Sequence, residues 1–386
     1  MEILQEISKL KNELNNELIQ NILPFWLTKM PDQEHGGFHG RINGEGELIK
    51  NSSKGAVLNA RILWTFSAAY RMLGDKRYLE AANRAKQYLA DKFTDKENGG
   101  VYWMLDYKGS PEETKKQIYA QTFAIYGLSE YYEATGKKDS LVQAIRLFNL
   151  IECYSFDSKQ NGYIEALDQE WNLLSDMRLS QKDTNAEKTM NTHLHILEAY
   201  TALYRVWKNS LLKSKLKNLI EIFLEKIIDP TSHNLHQFFD MDWNNYDNTT
   251  SNGHDIEASW LLYQAAEVLD DNEVIDRVEI ICNLITQSAA NGIRPDGSMV
   301  SGDEREWWVQ AETVVGFFNH YQRTGSLDSL IKSTNCWKFI KEKIIDNKQG
   351  EWFWSANLDG TPNTKDDKAG IWKCPYHNGR MCLEII

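Results

Sequence analysis

A short segment rich in glycine and aromatic residues recurs six times along this 386-residue chain, and that repetition constrains the fold more than any other feature. It reads Gly36-Gly37-Phe38-His39-Gly40, then Gly99-Gly100-Val101-Tyr102-Trp103, then Gly162-Tyr163-Ile164. It returns more loosely as Leu235-His236-Gln237-Phe238-Phe239, Gly297-Ser298-Met299 and Gly350-Glu351-Trp352-Phe353-Trp354. The first three copies stand 63 residues apart. A fixed period of this size marks one supersecondary unit used repeatedly. Length alone would suggest two or three domains. The repeat predicts instead a closed ring, with residues 1–386 forming a single domain around one continuous core.

Between these segments apolar residues recur at i, i+3, i+4 and i+7, the helical period. The pattern predicts twelve helices, over 2–22, 55–73, 75–93, 115–135, 137–154, 185–207, 211–228, 252–268, 271–290, 304–324, 326–345 and 376–386. Within a pair the two helices differ. The stretch 55–73, with Leu58, Ile62, Leu63, Trp64, Phe66, Ala68 and Tyr70, is apolar nearly all round, whereas 75–93 is charged on one face. A helix apolar on every side is buried, and one with a polar face lies at the surface. Six inner and six outer helices make an all-α (α/α)6 barrel. Short β-hairpins then sit over the cavity mouth, and residues at the ends of the inner helices line the cavity.

Charge and cysteine usage narrow the partners. A net charge of −12 argues against nucleic acid, which needs a basic stripe. The five cysteines, Cys153, Cys282, Cys336, Cys374 and Cys382, show no metal-ligand spacing and read as free thiols of a reducing compartment. The acidic, amphipathic N-terminus is not a signal peptide, and no apolar run is long enough to span a membrane. The expectation is a cytoplasmic protein, a monomer or weak homodimer, with no membrane contact. The 13 Trp, 17 Tyr and 14 Phe are numerous. Their faces suit the C–H faces of sugars, although most aromatic side chains pack cores.

Polar residues on helices that should be apolar are the informative ones. They cluster in Leu58–Trp64, Tyr119-Ala120-Gln121, Met190–His195, Gly253–Trp260, Trp307–Glu312 and Trp372–Asn378. Asn191 and His195 are spaced i,i+4, His254 and Glu257 i,i+3, and Trp308 and Glu312 i,i+4, so each pair shares a helix face. Burying such groups without partners costs several kcal/mol apiece, which points to a site. His193 and His320 read as structural histidines. His254 and His377 stand in the first turns of their helices, where the positive end of the dipole disfavours imidazolium. Both therefore read as neutral bases at pH 7. Glu257 and Glu312 have two readings from spacing alone: ion-pair partners of Arg61, or groups that orient the histidines.

The segments Lys188–His195, Gly253–Trp260, Trp307–Glu312 and Trp372–Arg380 resemble those of the cellobiose 2-epimerases within the N-acylglucosamine 2-epimerase superfamily, and the likeness runs over nearly the whole chain. The resemblance implies an (α/α)6 barrel. It also implies an enzyme that inverts C2 of the reducing-end sugar of a disaccharide, cellobiose or lactose, without metal or nucleotide cofactor. It makes His377 and His254 the acid/base pair. Arg61, Tyr119, Asn191 and His195 would hold the open-chain sugar and its carbonyl, and Glu257 and Glu312 would tune or orient the histidines. Trp308 and Trp372 would stack on sugar rings, and Asp183, in a long loop, would reach the substrate.

Three other readings compete. A mannose or N-acetylglucosamine epimerase or isomerase would share the chemistry. An inverting glycoside hydrolase would need two carboxylates roughly 6.5–9.5 Å apart and no histidine pair. A non-catalytic sugar-binding protein would need the tryptophans but not neutral histidines.

Overall fold

The computed structural model describes residues 2–246, 248–302 and 304–386. Its helices are α1 (Glu2–Glu17), α2 (Leu23–Thr28), α3 (Ala56–Leu73), α4 (Lys76–Tyr88), α5 (Ile118–Thr135), α6 (Lys138–Tyr154), α7 (Met190–Val206), α8 (Ser210–Ile222), α9 (Asn252–Leu269), α10 (Asn272–Ala289), α11 (Trp307–Thr324), α12 (Leu327–Phe339) and α13 (His377–Ile385). A π-helical turn, Leu18–Ile22, joins α1 to α2 in one rod. Helices α3, α5, α7, α9, α11 and α13 each pack on the next, and α13 packs back on α3. Outside them lie α4 on α3, α6 on α5, α8 on α7, α10 on α9, α12 on α11 and α1 on α13. The fold is an (α/α)6 barrel.

Burial follows the sequence pattern. Every residue from Ala56 to Ala69 of α3 is buried, whereas α4 buries only Tyr78, Ala81, Ala82, Ala85 and Tyr88. Several inner helices stop at a residue that takes the left-handed conformation. Gly74, Gly136 and Gly325 end α3, α5 and α11 with φ near 70°, the C-terminal geometry that glycine adopts most easily.

The six glycine-aromatic segments are the return loops from outer to inner helices. Each closes one antiparallel bridge: Pro31 with Phe38, Thr94 with Val101, Phe156 with Tyr163, Ile228 with Leu235, Ile293 with Met299 and Ile345 with Trp352. Strands of two or three residues then follow, and most tie neighbouring repeats together. β1 (Lys54–Gly55) pairs with β2 (Met104–Leu105), which also pairs with β3 (Pro111–Glu113). β4 (Lys116–Gln117) pairs with β5 (Ala166–Leu167), β6 (Lys188–Thr189) with β7 (Phe238–Phe239), and β8 (Arg305–Glu306) with β9 (Ser355–Ala356). A bridge from Ile42 to Ala369 joins the first repeat to the last.

A repeated ion pair fixes these loops. Lys54 meets Asp32 at 2.7 Å, Lys116 meets Asp95 at 2.7 Å, Lys188 meets Asp157 at 2.8 Å, and Lys368 pairs with Asp346, all buried. The other oxygen of each aspartate accepts backbone N–H groups two and three residues on. All the strands β1, β4, β6 and β8 immediately precede an inner helix, so the loops gather at the N-terminal end of the inner ring. The polar residues singled out in the sequence stand at that end.

Candidate active site

The polar residues singled out in the sequence lie in the first two turns of the six inner helices. Tyr119, Asn191 and Trp308 are second residues of α5, α7 and α11, and His254 is the third of α9. Arg61 and His195 are the sixth residues of α3 and α7, and His377 opens α13.

Three histidines there share one arrangement: each is tied through Nδ1. His377 Nδ1 lies 2.6 Å from Glu312 Oε1, His195 Nδ1 lies 2.9 Å from Glu198 Oε2, and His254 Nδ1 lies 2.8 Å from Ser251 Oγ. None of the three Nε2 atoms hydrogen-bonds among the described residues. A carboxylate only accepts, so His377 and His195 carry their hydrogen on Nδ1 and leave Nε2 as a lone pair. Burial pushes the pKa of His254 down to about 4 and that of His377 well below the usual imidazole range. Both are neutral at pH 7, and burial is the cause rather than the helix dipole on which the sequence reading relied.

Trp308 links His254 and His377. Its ring centroid is 4.8 Å from that of His254 and 5.7 Å from that of His377, and its indole N–H donates to Glu306 at 2.5 Å. Gly253 permits this packing, since a Cβ there would come within 2.8 Å of the indole.

Arg380 gathers the carboxylates. Its Nη2 donates to Glu257 Oε1 at 2.6 Å and to Glu312 Oε1 at 2.7 Å, and its Nη1 pairs with Glu198. Tyr376 donates to Glu198 at 2.5 Å, and Trp260 to Glu312 Oε2 at 3.1 Å. Burial works against charge on Glu198, but Arg380, His195 and Tyr376 outweigh it and hold its pKa at about 2. Ligand atoms of Glu257, Glu312 and His377 lie within 4.8 Å of one another, the spacing of a metal site. The cation among them is the Arg380 guanidinium.

Arg61 is also buried, but no carboxylate among the described residues pairs with it. It donates to the Tyr119 hydroxyl at 2.9 Å and stacks on Phe123 and Tyr376 at 4.2 and 4.5 Å. Its Nε has no hydrogen-bond partner among the described residues. Trp372 packs on Trp103 and Tyr119 and remains partly exposed. Asn191, Asp183 and His254 line one cavity of about 80 Å³ together with Glu165. The Asn191 Oδ1 there is buried without a partner among the described residues, while Asp183 accepts the Ser180 N–H at 2.8 Å.

The profile of the N-acylglucosamine 2-epimerase family matches residues 36–379. The chain belongs to that family. Among its relatives, a cellobiose 2-epimerase of Bacteroides fragilis is 56% identical over 387 residues, covering 98% of each chain. The solved structure of the cellobiose 2-epimerase from Bacillus thermoamylovorans B4167 superposes with a TM-score of 0.94 at 41% identity, covering 98% of each chain. A D-mannose isomerase structure, 19% identical, shares the fold at a TM-score of 0.85 and covers 97% of each chain.

In this N-acylglucosamine 2-epimerase family member, one sequence reading is corrected. Glu257 and Glu312 are not partners of Arg61: both pair with Arg380, and only Glu312 orients a histidine. Sequence reasoning missed Glu198, Ser251 and the role of Arg380. Glu198 follows His195 by three residues, and Ser251 precedes His254 by three. The i,i+3 rule that linked His254 to Glu257 would have found the first. The preference for serine at helix N-caps would have found the second. His193 is held at both ring nitrogens, by the Thr189 carbonyl and the Tyr163 N–H. The cysteines form no disulfide among the described residues, and all but Cys153 are buried. Among the described residues, no helix is long and apolar enough to cross a membrane.

Proposed function

We propose that this carbohydrate 2-epimerase inverts C2 of the reducing-end unit of β-1,4-linked disaccharides, cellobiose to glucosylmannose and lactose to epilactose. The observation that carries the reading is the pair of neutral imidazoles, His254 and His377, both packed on Trp308 and both held by Nδ1 with Nε2 unbonded. The full-length likeness to cellobiose 2-epimerases supports the choice of disaccharide.

The reaction begins with opening of the hemiacetal. The His377 Nε2 lone pair takes the proton from C2, and the C–H electron pair becomes the C1=C2 bond of a cis-enediolate while the carbonyl pair moves to O1. Arg61 supplies the positive field for that oxygen, the usual large electrostatic contribution to such steps, while the His195 Nε2 lone pair accepts a hydrogen bond from a hydroxyl of the open-chain sugar. His254 returns a proton to the opposite face of C2, and the electrons flow back to restore the aldehyde. Ser251 lies 3.0 Å from Ser301, so two hydroxyls form a path that replaces the proton on His254. Delivery to C1 instead would make a ketose, so isomerase activity is chemically adjacent. Tyr119 and Asn191 hold the open chain, Trp308 and Trp372 take sugar rings, and Asp183 reaches the substrate from its loop.

The test is incubation with cellobiose, lactose, glucose and mannose in heavy water, with products read by NMR. Glucosylmannose and epilactose should form fastest, with deuterium entering C2. Turnover of mannose or glucose well ahead of both disaccharides would remove the disaccharide assignment. Absence of any C2-inverted product would remove the reaction.

A further inference from the structure

Arg380 is fully buried, with 0% exposure, so no molecule in the cavity touches it. Its guanidinium nevertheless joins α7, α9 and α11 to α13, through Glu198, Glu257 and Glu312. Two of those carboxylates have a second task. Glu312 Oε1, which accepts from Arg380, is the same oxygen that accepts from His377 Nδ1. Glu198 accepts from Arg380 on one oxygen and from His195 Nδ1 on the other. A single planar fork thus stands behind two histidines on different helices.

We propose that Arg380 is a positioning residue of the reaction: by keeping Glu312 and Glu198 ionised and in place, it fixes His377 and His195 together as tautomers with hydrogen on Nδ1 and a free Nε2. Without it, three buried carboxylates would face one another with no cation, and at least one would take up a proton. A protonated carboxyl becomes a donor. The imidazole facing it then loses its reason to keep hydrogen on Nδ1 and turns an N–H, not a lone pair, toward the sugar. Lysine cannot replace the fork, because an ammonium is a point charge that cannot span the three carboxylates.

The kinetic arm of this inference rests on the epimerase reading, but the spectroscopic arm does not. Arg380→Lys and Arg380→Met would be compared with the wild-type protein by circular dichroism, by long-range ¹H–¹⁵N spectra of histidine-labelled protein, and by cellobiose kinetics. The wild type should show Nδ1–H tautomers at His377 and His195. In Arg380→Lys, and more fully in Arg380→Met, these should shift to Nε2–H. The kcat should fall on the order of 10²-fold, as for a displaced catalytic group, with KM nearly unchanged because Arg380 does not touch substrate. Near wild-type kcat, unchanged tautomers in folded variants, or failure of Arg380→Lys to fold would each overturn the proposal, the last by making Arg380 a residue of stability alone. Tautomer shifts in variants of a wild type inactive on cellobiose would keep the role of Arg380 and overturn the substrate assignment.

Discussion

His254 Nδ1 lies 2.8 Å from the hydroxyl of Ser251, the residue that caps the helix on which His254 stands. His377, by contrast, faces a carboxylate. A serine hydroxyl can give or take a hydrogen; Glu312 can only take one. The two histidines therefore differ in what they offer a substrate, and Ser251 is the group that sets His254. Ser251→Ala should reduce kcat for cellobiose by less than removal of His254 itself. It should also destabilise the fold by about 1 kcal/mol through the lost N-cap. Steady-state kinetics with a urea titration would check both, and an unchanged kcat would detach Ser251 from the chemistry.

Removing either histidine should have a larger effect. His254→Ala and His377→Ala should each lower the rate by about 10²–10⁴-fold, the range for one general acid or base. Circular dichroism should remain that of the wild type. A variant with near wild-type turnover would make its histidine structural.

Glu165 gives the protein a pH-dependent stability. It is buried among neutral donors, Thr189 and Thr192 at 2.7 Å and Gln117 at 3.2 Å, and burial raises its pKa to about 7. Between the ordinary carboxyl value of 4.5 and about 7, the folded state binds more protons here than the unfolded state. Stability from this group therefore falls as pH rises through that window. Glu165→Gln removes the titration, and its new amide can donate to Gln117 Oε1, which is buried without a partner among the described residues. The stability of Glu165→Gln relative to wild type should climb across the window and level off above it. Denaturant titrations at several pH values would show this, and parallel curves would rule it out.

Trp372 is partly exposed beside Trp103 and Tyr119, so its loss should affect a ligand more than the core. Trp372→Ala should lower kcat/KM for cellobiose by about 1–3 kcal/mol, a magnitude taken from aromatic stacking on bases. The effect on glucose should be smaller if the lost stack serves the second ring. Comparison of kcat/KM for the two sugars decides the point.

The lysine–aspartate pairs of the return loops predict a stability effect remote from the chemistry. Lys116 and Asp95 are both fully buried at 2.7 Å. Lys116→Met leaves Asp95 charged and unpaired, which should cost about 3–5 kcal/mol. Adding Asp95→Asn should recover part of that loss. Thermal unfolding of the single and double variants would test the pairing.

The sequence carried the barrel because a 63-residue repeat and a helical period survive without tertiary context. What it blurred were the joints. Helices expected from 115, 185 and 304 begin at Ile118, Met190 and Trp307. The intervening stretches end in two-residue strands, too short to show an alternating period. The periodicity ends the first helix at 22, before Pro24, but the rod continues to Thr28. The π turn Leu18–Ile22 has already changed the hydrogen-bond register, and Pro24 falls at the start of the next segment, where its missing N–H costs little. At the site, single residues were legible as polar groups on buried helices. Their partners were not, because Arg380 meets Glu198 across 182 positions, and no local spacing encodes that.

Helix α13 carries both His377 and Arg380, and it is also the last stave of the inner ring, wedged between α11 and α3 with α1 behind it. Closing the ring and completing the cluster of histidines and carboxylates are therefore one event. A local opening of that seam would silence the enzyme while five-sixths of the wall still stood. Turnover is thus a more sensitive gauge of this seam than helicity is.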